Sequence, residues 1–205
     1  MSNEATRRWK LGSAIALVLA SGLAARGAEN PTAFQLAKEG DRYVGEQCKD
    51  KVVQIRSERS VGSLVPNVWY VVYYDPTATL KAAEVKFGAG KMLNVKRPLR
   101  LLEPVTGADL PLDFEKLKVD SDEAINTALK EPLLENIKAT STELKLERLG
   151  EGVGGHSATA QAAWKVKIWA ARVRDPSRST AIGEIWVSAT DGKVVKTDLH
   201  LERLN

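Results

Sequence analysis

The strongest constraint on the fold is a two-residue alternation of apolar and polar side chains in the last quarter of the chain. The apolar positions are Trp164, Val166, Ile168 and Ala170, then Ile185, Val187, Val195, Thr197, Leu199 and Leu201. The alternating positions are Lys165, Lys167 and Trp169, then Trp186, Lys196, Asp198, His200 and Glu202. Side chains that change sides at every residue are typical of β-strands, and one apolar face indicates a sheet that is buried on one side. The alternation therefore predicts an antiparallel sheet whose apolar face is covered by helices.

Helix and turn signals divide the chain into two similar halves. In the first half, Asn30 and Pro31 predict a helix that runs to about Cys48, followed by strands at 51–59, 68–74, 80–87 and 92–95. In the second half, Asp120 predicts a capped helix that ends before Pro132, followed by strands at 142–149, 164–172, 182–189 and 194–201. The predicted fold class is α+β, with two repeats of one helix packed on an antiparallel sheet of three or four strands. The predicted units are 28–97 and 117–205, joined by a connector at 98–116.

The start of the chain has the pattern of a signal peptide. Arg7, Arg8 and Lys10 form a basic beginning, and no charged residue follows from 11 to 25. This run is shorter than the ~20 apolar residues that a membrane-spanning helix needs. We therefore predict that residues 1–27 are a cleaved leader and that the protein is periplasmic or extracellular. An uncleaved anchor and a twin-arginine export route stay open as alternatives.

The charge balance predicts little attraction to nucleic acids or anionic lipids. The chain has 30 basic and 26 acidic residues, of which four and one lie in the predicted leader, so the mature protein carries about +1. We predict no nucleic-acid partner and no stable membrane span after cleavage. Cys48 is the only cysteine, so no internal disulfide can form. The hydrophobic core must therefore stabilise the fold without one.

The sequence lacks the residue patterns of common enzymes and metal sites. His156 lies in a glycine-rich stretch and His200 on the polar side of the last strand, and neither accompanies a nucleophile motif. The glycine run at 150–155 lies between two predicted strands and not before a helix, which favours a loop over a phosphate site. We therefore predict that the protein is not an enzyme, uses no cofactor and has no catalytic, cofactor-binding or metal-binding residues.

Large aromatic side chains lie out of phase with the predicted core. Exposed aromatic rings often mark contact surfaces, because they offer apolar area at a small entropic cost. The predicted partner-binding residues are Trp169, Trp186, Lys165, Lys167, Tyr70 and Tyr74. The alternative is that the two halves pack on each other at these rings, or that a long loop covers them.

Three segments of the second half resemble the PepSY-like family of secreted and envelope proteins. They are Ser-Asp-Glu-Ala-Ile at 121–125, Trp-Lys-Val-Lys-Ile at 164–168 and the hairpin at 185–195. The resemblance covers roughly 117–201 and, more weakly, 32–97. It implies a tandem, non-catalytic module of a helix on an antiparallel sheet that restrains or assists a partner.

The sequence favours two alternative functions. The first is binding or regulation of a protein or peptide partner in the cell envelope, with a peptidase among the candidates. The alternative is a carrier or sensor of a small apolar ligand between helix and sheet, where Ala33, Ala37 and Gly40 would leave room.

Overall fold

The computed structural model of the chain describes residues 30–106, 109, 111–149 and 161–205. The predicted leader and the glycine-rich stretch with His156 lie outside these residues, so their interpretations stay predictions. The described residues form two α-helices, α1 (Ala33–Gly40) and α2 (Ser121–Leu129). The strands are β1 (Val52–Ser57), β2 (Val68–Tyr74), β3 (Ala82–Gly88), β4 (Lys91–Lys96), β5 (Ala139–Leu149), β6 (Gln161–Ala171), β7 (Ser179–Ser188) and β8 (Val194–Leu199).

These strands form a single antiparallel sheet, in the order β4-β3-β2-β1-β5-β6-β7-β8. The two halves join where β1 pairs with β5, with Ile55 opposite Leu146 and Arg56 opposite Lys145. The prediction of two repeats, each a helix on its own three- or four-stranded sheet, is therefore wrong. Edge strands expose unpaired N–H and C=O groups, and pairing β1 with β5 satisfies them. Periodicity predicts which residues form strands, but it does not show which distant edges join.

Two serine side chains lengthen the junction between β1 and β5. Ser57 Oγ accepts a hydrogen bond from the backbone N–H of Leu144 at 2.8 Å, and Ser60 Oγ accepts one from Thr142 at 2.9 Å. Both serines are buried. The hydroxyls therefore take the place of backbone carbonyls where the regular ladder ends.

Helix α1 is shorter than predicted. The sequence predicted a helix over about 31–48, whereas α1 is capped by Thr32 and ends at Gly40. Tyr73 Oη donates a hydrogen bond to the carbonyl of Ala37 at 2.9 Å. This bond satisfies a carbonyl of the last turn, which is one of the ways in which a helix ends.

Helix α2 agrees with its sequence signals. Asp120 is the N-cap, and its side chain accepts a hydrogen bond from the backbone N–H of Ser121. The helix ends at Leu129, and Pro132 opens the short 3-10 helix Pro132–Leu134. The predicted start and end of this helix are confirmed.

Both helices lie on the same face of the sheet and bury one continuous core. Trp164 of β6 stacks on Phe34 of α1 with ring centroids 6.0 Å apart, and it meets Trp69 of β2 edge-on at 6.4 Å. Phe114 contacts Phe34 at 5.4 Å. These rings come from both halves of the chain, so the core does not divide at the predicted connector.

The predicted alternation is confirmed in β6 and fails in β8. In β6 the four apolar positions of the alternation, beginning with Trp164, are all buried. In β8, Val195 was predicted to be buried but is 44% exposed, and Val194 is 39% exposed. These valines are exposed because β8 is an outer strand, whereas α2 packs on β5, β6 and β7.

The connector at 98–116 crosses the sheet face that the helices leave free. Glu103 pairs with Lys145 of β5 at 2.9 Å, and Val105 is buried against Val72 of β2. The chain then passes to the helix side, where Phe114 packs against α1. The connector therefore covers part of the free face over the first half of the sheet.

Candidate binding face

We call the sheet face opposite α1 and α2 the open face. Direct cross-strand neighbours form one row across it: Lys86, Tyr70, Arg56, Lys145, Lys165, Trp186 and Lys196. Five of these seven residues are cations. Side chains directly opposite each other lie about 4.5–5.5 Å apart at Cβ, so neighbouring cations need rings or carboxylates around them. The open face is therefore a mixed aromatic and charged surface.

Trp186 of β7 lies half-buried between two lysines. The Nζ atoms of Lys165 and Lys196 are 4.7 and 4.9 Å from the centroid of its ring. The indole N–H donates a hydrogen bond to Glu184 at 3.2 Å, and Lys165 pairs with the same carboxylate at 3.5 Å. These contacts hold the indole in one orientation. Lys196 was not singled out from the sequence, although the alternation had already placed it on the polar side of β8.

Trp169 of β6 is held in a similar way by Lys167 and Arg59. The Nζ of Lys167 is 5.0 Å from the ring centroid, and the guanidinium carbon of Arg59 is 4.7 Å from it. Arg59 also donates hydrogen bonds to Ser141 Oγ at 2.7 Å and Ser179 Oγ at 2.5 Å. Arg59 was not predicted from the sequence, because its approach to Trp169 depends on how β1 joins β5.

Tyr70 and Tyr74 lie apart from the two tryptophans. Tyr70 is on β2, four strand spacings from β7, which is about 19 Å. Arg56 lies 3.9 Å from its ring centroid. Tyr74 packs with the cluster that contains buried Val105 of the connector. Of the six predicted residues, the structure brings together Trp169, Trp186, Lys165 and Lys167.

We call these four residues, together with Arg59 and Lys196, the tryptophan patch. The alternative that the two halves pack on each other through these rings is wrong, because the halves lie side by side in one sheet. Among the described residues, the connector reaches the open face through Arg100, Glu103 and Val105, over the central and first-half strands. Both tryptophans stay partly accessible to a partner.

A network of paired opposite charges lies between the connector and the sheet. Arg100 donates a hydrogen bond to Gln54 at 2.7 Å and lies 3.7 Å from Glu84 and 3.1 Å from Glu103. Burial lowers the pKa of Arg100. Burial by itself would raise the pKa of Glu103. The hydrogen bond and charge of Lys145, the charge of Arg100 and the hydrogen bond from Gln54 together outweigh burial, so the pKa of Glu103 is lowered. Because these charges satisfy one another, the network fastens the connector to the sheet.

Three leucines point outward from the connector. Leu99 and Leu101 are each 78% exposed, and Leu102 is 98% exposed. The neighbouring Arg100 is turned inward, with its side chain only 9% exposed. These leucines were not predicted as a site, although three leucines between Pro98 and Pro104 are a visible signal in the sequence.

Next to Gly40, the space predicted for an apolar ligand is occupied by protein. A Cβ at Gly40 would overlap the hydroxyl of Tyr73, so that side chain fills the gap. A cavity of about 610 Å³ lies beside the helix instead, with Phe34 and Phe114 among its apolar residues. The cavity is also lined by Lys38 and by four carboxylates, Asp41, Asp50, Asp113 and Glu115. Because Ala37, Val52 and Leu112 also line the cavity, its lining is mixed, and the alternative of a small apolar ligand stays a prediction.

Comparison with family models, with curated proteins and with solved structures finds no match to this chain. The resemblance to the PepSY-like family therefore stays a prediction.

The described residues contain neither a candidate membrane-spanning helix nor a candidate metal cluster. No helix within 30–106, 111–149 or 161–205 is long and apolar enough to cross a membrane. In the same part of the chain, no group of three or more histidine, cysteine, aspartate or glutamate side chains is placed to hold a metal ion.

Proposed function

We propose that this chain is an exported, non-enzymatic binding protein that holds or regulates a protein or peptide partner in the cell envelope. The tryptophan patch is the contact surface. The observation that carries the proposal is that two tryptophans lie outside the core, half-buried and each contacted by two cations.

The fixed orientation of the rings supports this role. A cation over an exposed aromatic ring stabilises it by about 0.5–1 kcal/mol, so each indole is restrained before a partner arrives. A restrained side chain loses less entropy on binding. Tryptophan and arginine are enriched among residues that contribute about 2 kcal/mol or more to an interface.

The size of the surface also suits a protein partner. Strands β5 to β8 have 11, 11, 10 and 6 residues. At about 3.3 Å per residue and 4.8 Å per strand, they cover about 600 Å². A stable interface buries about 800 Å² on each partner. The outward leucines of the connector lie on the same side of the sheet and would supply further apolar area.

Replacing both tryptophans tests the contact surface. The change Trp169→Ala with Trp186→Ala should abolish capture of partners from an envelope extract in a quantitative pull-down. The melting temperature should fall by only a few degrees, because about 1 kcal/mol corresponds to about 2–4 °C in a chain of this size. The matched control is Val194→Ala with Val195→Ala, which removes exposed apolar side chains from β8 of the same sheet.

The two variants separate binding from folding. Loss of the same captured proteins with the tryptophan variant, and not with the valine variant, supports the proposal. Equal capture by both variants, or unfolding of the tryptophan variant, rejects the tryptophan patch as a binding surface.

Export is proposed from the leader pattern at residues 1–27. We expect the protein in the periplasmic or secreted fraction of a bacterial host, with a mass that corresponds to a start near residue 28. Changing Arg7 and Arg8 to lysine separates the routes, because a twin-arginine signal needs the arginines and general export needs only positive charge. A full-length chain confined to the cytoplasmic fraction would contradict export.

A further inference from the structure

Arg59 carries a charge that no carboxylate neutralises among the described residues. Its guanidinium has two hydroxyl partners, Ser141 and Ser179, and the ring of Trp169. Hydroxyl groups fix the plane of a guanidinium without cancelling its charge. By contrast, Arg56 pairs with Glu84 at 2.8 Å. Arg59 is therefore held in place and still available to an anion.

Lys167 and Lys196 share this property. Each contacts a tryptophan ring, and neither lies within ion-pair distance of a carboxylate of the described residues. The fourth cation of the tryptophan patch, Lys165, is paired with Glu184. Three of the four cations of the patch are thus unpaired, and two of them adjoin Trp169.

The surrounding charges favour an anion at the Trp169 end of the patch. The turn between β6 and β7 adds Arg172, Arg174 and Arg178 against a single acid, Asp175. Lys167 has two carboxylates as cross-strand neighbours, Glu143 on β5 and Glu184 on β7. Cations therefore outnumber carboxylates at this end of the sheet.

We propose, on the basis of the proposed function, that the partner presents an acidic peptide segment to this end of the patch. A carboxylate of the segment binds Arg59 and Lys167, and an adjacent apolar side chain packs on Trp169. Arginine and carboxylate groups match in geometry, and charge-assisted hydrogen bonds are about twice as strong as neutral ones.

The acids on the open face favour a peptide over a uniformly anionic surface. Glu143, Glu184 and Asp198 lie on the same face as the cations of the patch. They repel a continuous row of phosphates, as in nucleic acid or an anionic membrane. A peptide avoids this repulsion, because its carboxylates can be spaced to meet the cations alone.

A synthetic array of short peptides of random composition, probed with the labelled mature protein, tests the inference. We expect the bound peptides to be enriched in aspartate or glutamate next to an apolar residue. Affinities are then measured by fluorescence anisotropy for a bound glutamate peptide and for its glutamine counterpart. The variant Arg59→Gln should weaken binding of the glutamate peptide by about tenfold or more and leave the glutamine peptide unchanged. Lys167→Gln should act in the same direction, and binding should weaken as salt is added.

The control Arg42→Gln removes the same charge from an exposed arginine beside α1. It should bind the glutamate peptide like the unchanged protein. Bound peptides without acidic enrichment, captured in a manner that needs Trp169 and Trp186, overturn the acidic partner and leave the proposed function standing. No tryptophan-dependent binding of any peptide counts against the proposed function itself. Equal or tighter binding to phosphatidylserine vesicles or to duplex DNA than to acidic peptides overturns the inference in favour of those surfaces.

Discussion

Asp75 is a fully buried carboxylate that joins the end of β2 to Arg97, the residue just before the connector. It accepts hydrogen bonds from the backbone N–H and the hydroxyl of Thr77, at 2.9 and 2.7 Å, and from Arg97 Nε at 2.9 Å. Burial by itself would raise the pKa of Asp75. The bonds from Thr77 and Arg97 outweigh burial and lower the pKa to about 2. The ionised form is therefore part of the folded state.

This lowered pKa predicts a loss of stability in acid. The unfolded chain has a pKa of about 3.8 at this residue and the folded chain about 2. The contribution is complete above about pH 4 and is lost as the pH falls toward 2, with a size of up to about 2 kcal/mol. Urea unfolding between pH 2 and pH 5 measures it. In Asp75→Asn this part of the pH dependence should vanish, whereas the exposed control Asp122→Asn should keep it. An unchanged pH profile in Asp75→Asn contradicts the assignment.

At the scale of single residues, the sequence predicted side-chain direction better than it predicted partners. Trp169 and Trp186 lie outside the core, as their phase in the alternation indicated. Arg59 was missed, because it reaches Trp169 only through the junction of β1 with β5. A contact that depends on distant pairing leaves no periodic signal in the sequence.

At the scale of elements, the strands were the most predictable part of the molecule. All eight strands were predicted, and β2 coincides with its predicted range of 68–74. The outer strand β8 departs from its pattern, since no helix covers Val194 and Val195. An alternating sequence shows that a strand can bury one face, but it does not show that another element will cover it.

The connector could not have been predicted from local sequence. Its prolines indicated irregular structure, but its course is set by Arg100 and Glu103, which bind side chains far away in the chain. Gln54 and Lys145, the residues that they meet, belong to strands of opposite halves. The candidate site differs from the predicted one for the same reason, because the connector covers Tyr74 and does not cover the tryptophan patch.

At the scale of the whole molecule, the two halves share one sheet and one core. Trp164 contacts Phe34 and Trp69, which belong to the other half of the chain. Trp164 is fully buried, and its indole N–H donates to the carbonyl of Val119 at 2.8 Å. The halves should therefore unfold together and not as separate units.

Replacing this residue tests that cooperativity. Trp164→Ala should lower the free energy of unfolding by about 3–5 kcal/mol, because it leaves a large cavity and an unpaired carbonyl. Hydrogen exchange should show protection falling together in α1 and α2. The exposed control Leu133→Ala should have little effect on either helix. Loss of protection in α2 alone would show that the halves are energetically separate.

The pairing of Ile55 with Leu146 also has a consequence for folding during synthesis. During synthesis, β1 emerges long before β5, so its outer backbone groups stay exposed until the second half of the chain has been made. For that interval the nascent first half offers a template to any other extended strand, including the same segment of another copy. A chain stopped before β5 keeps that template permanently, and we expect it to aggregate or to exchange strands between copies.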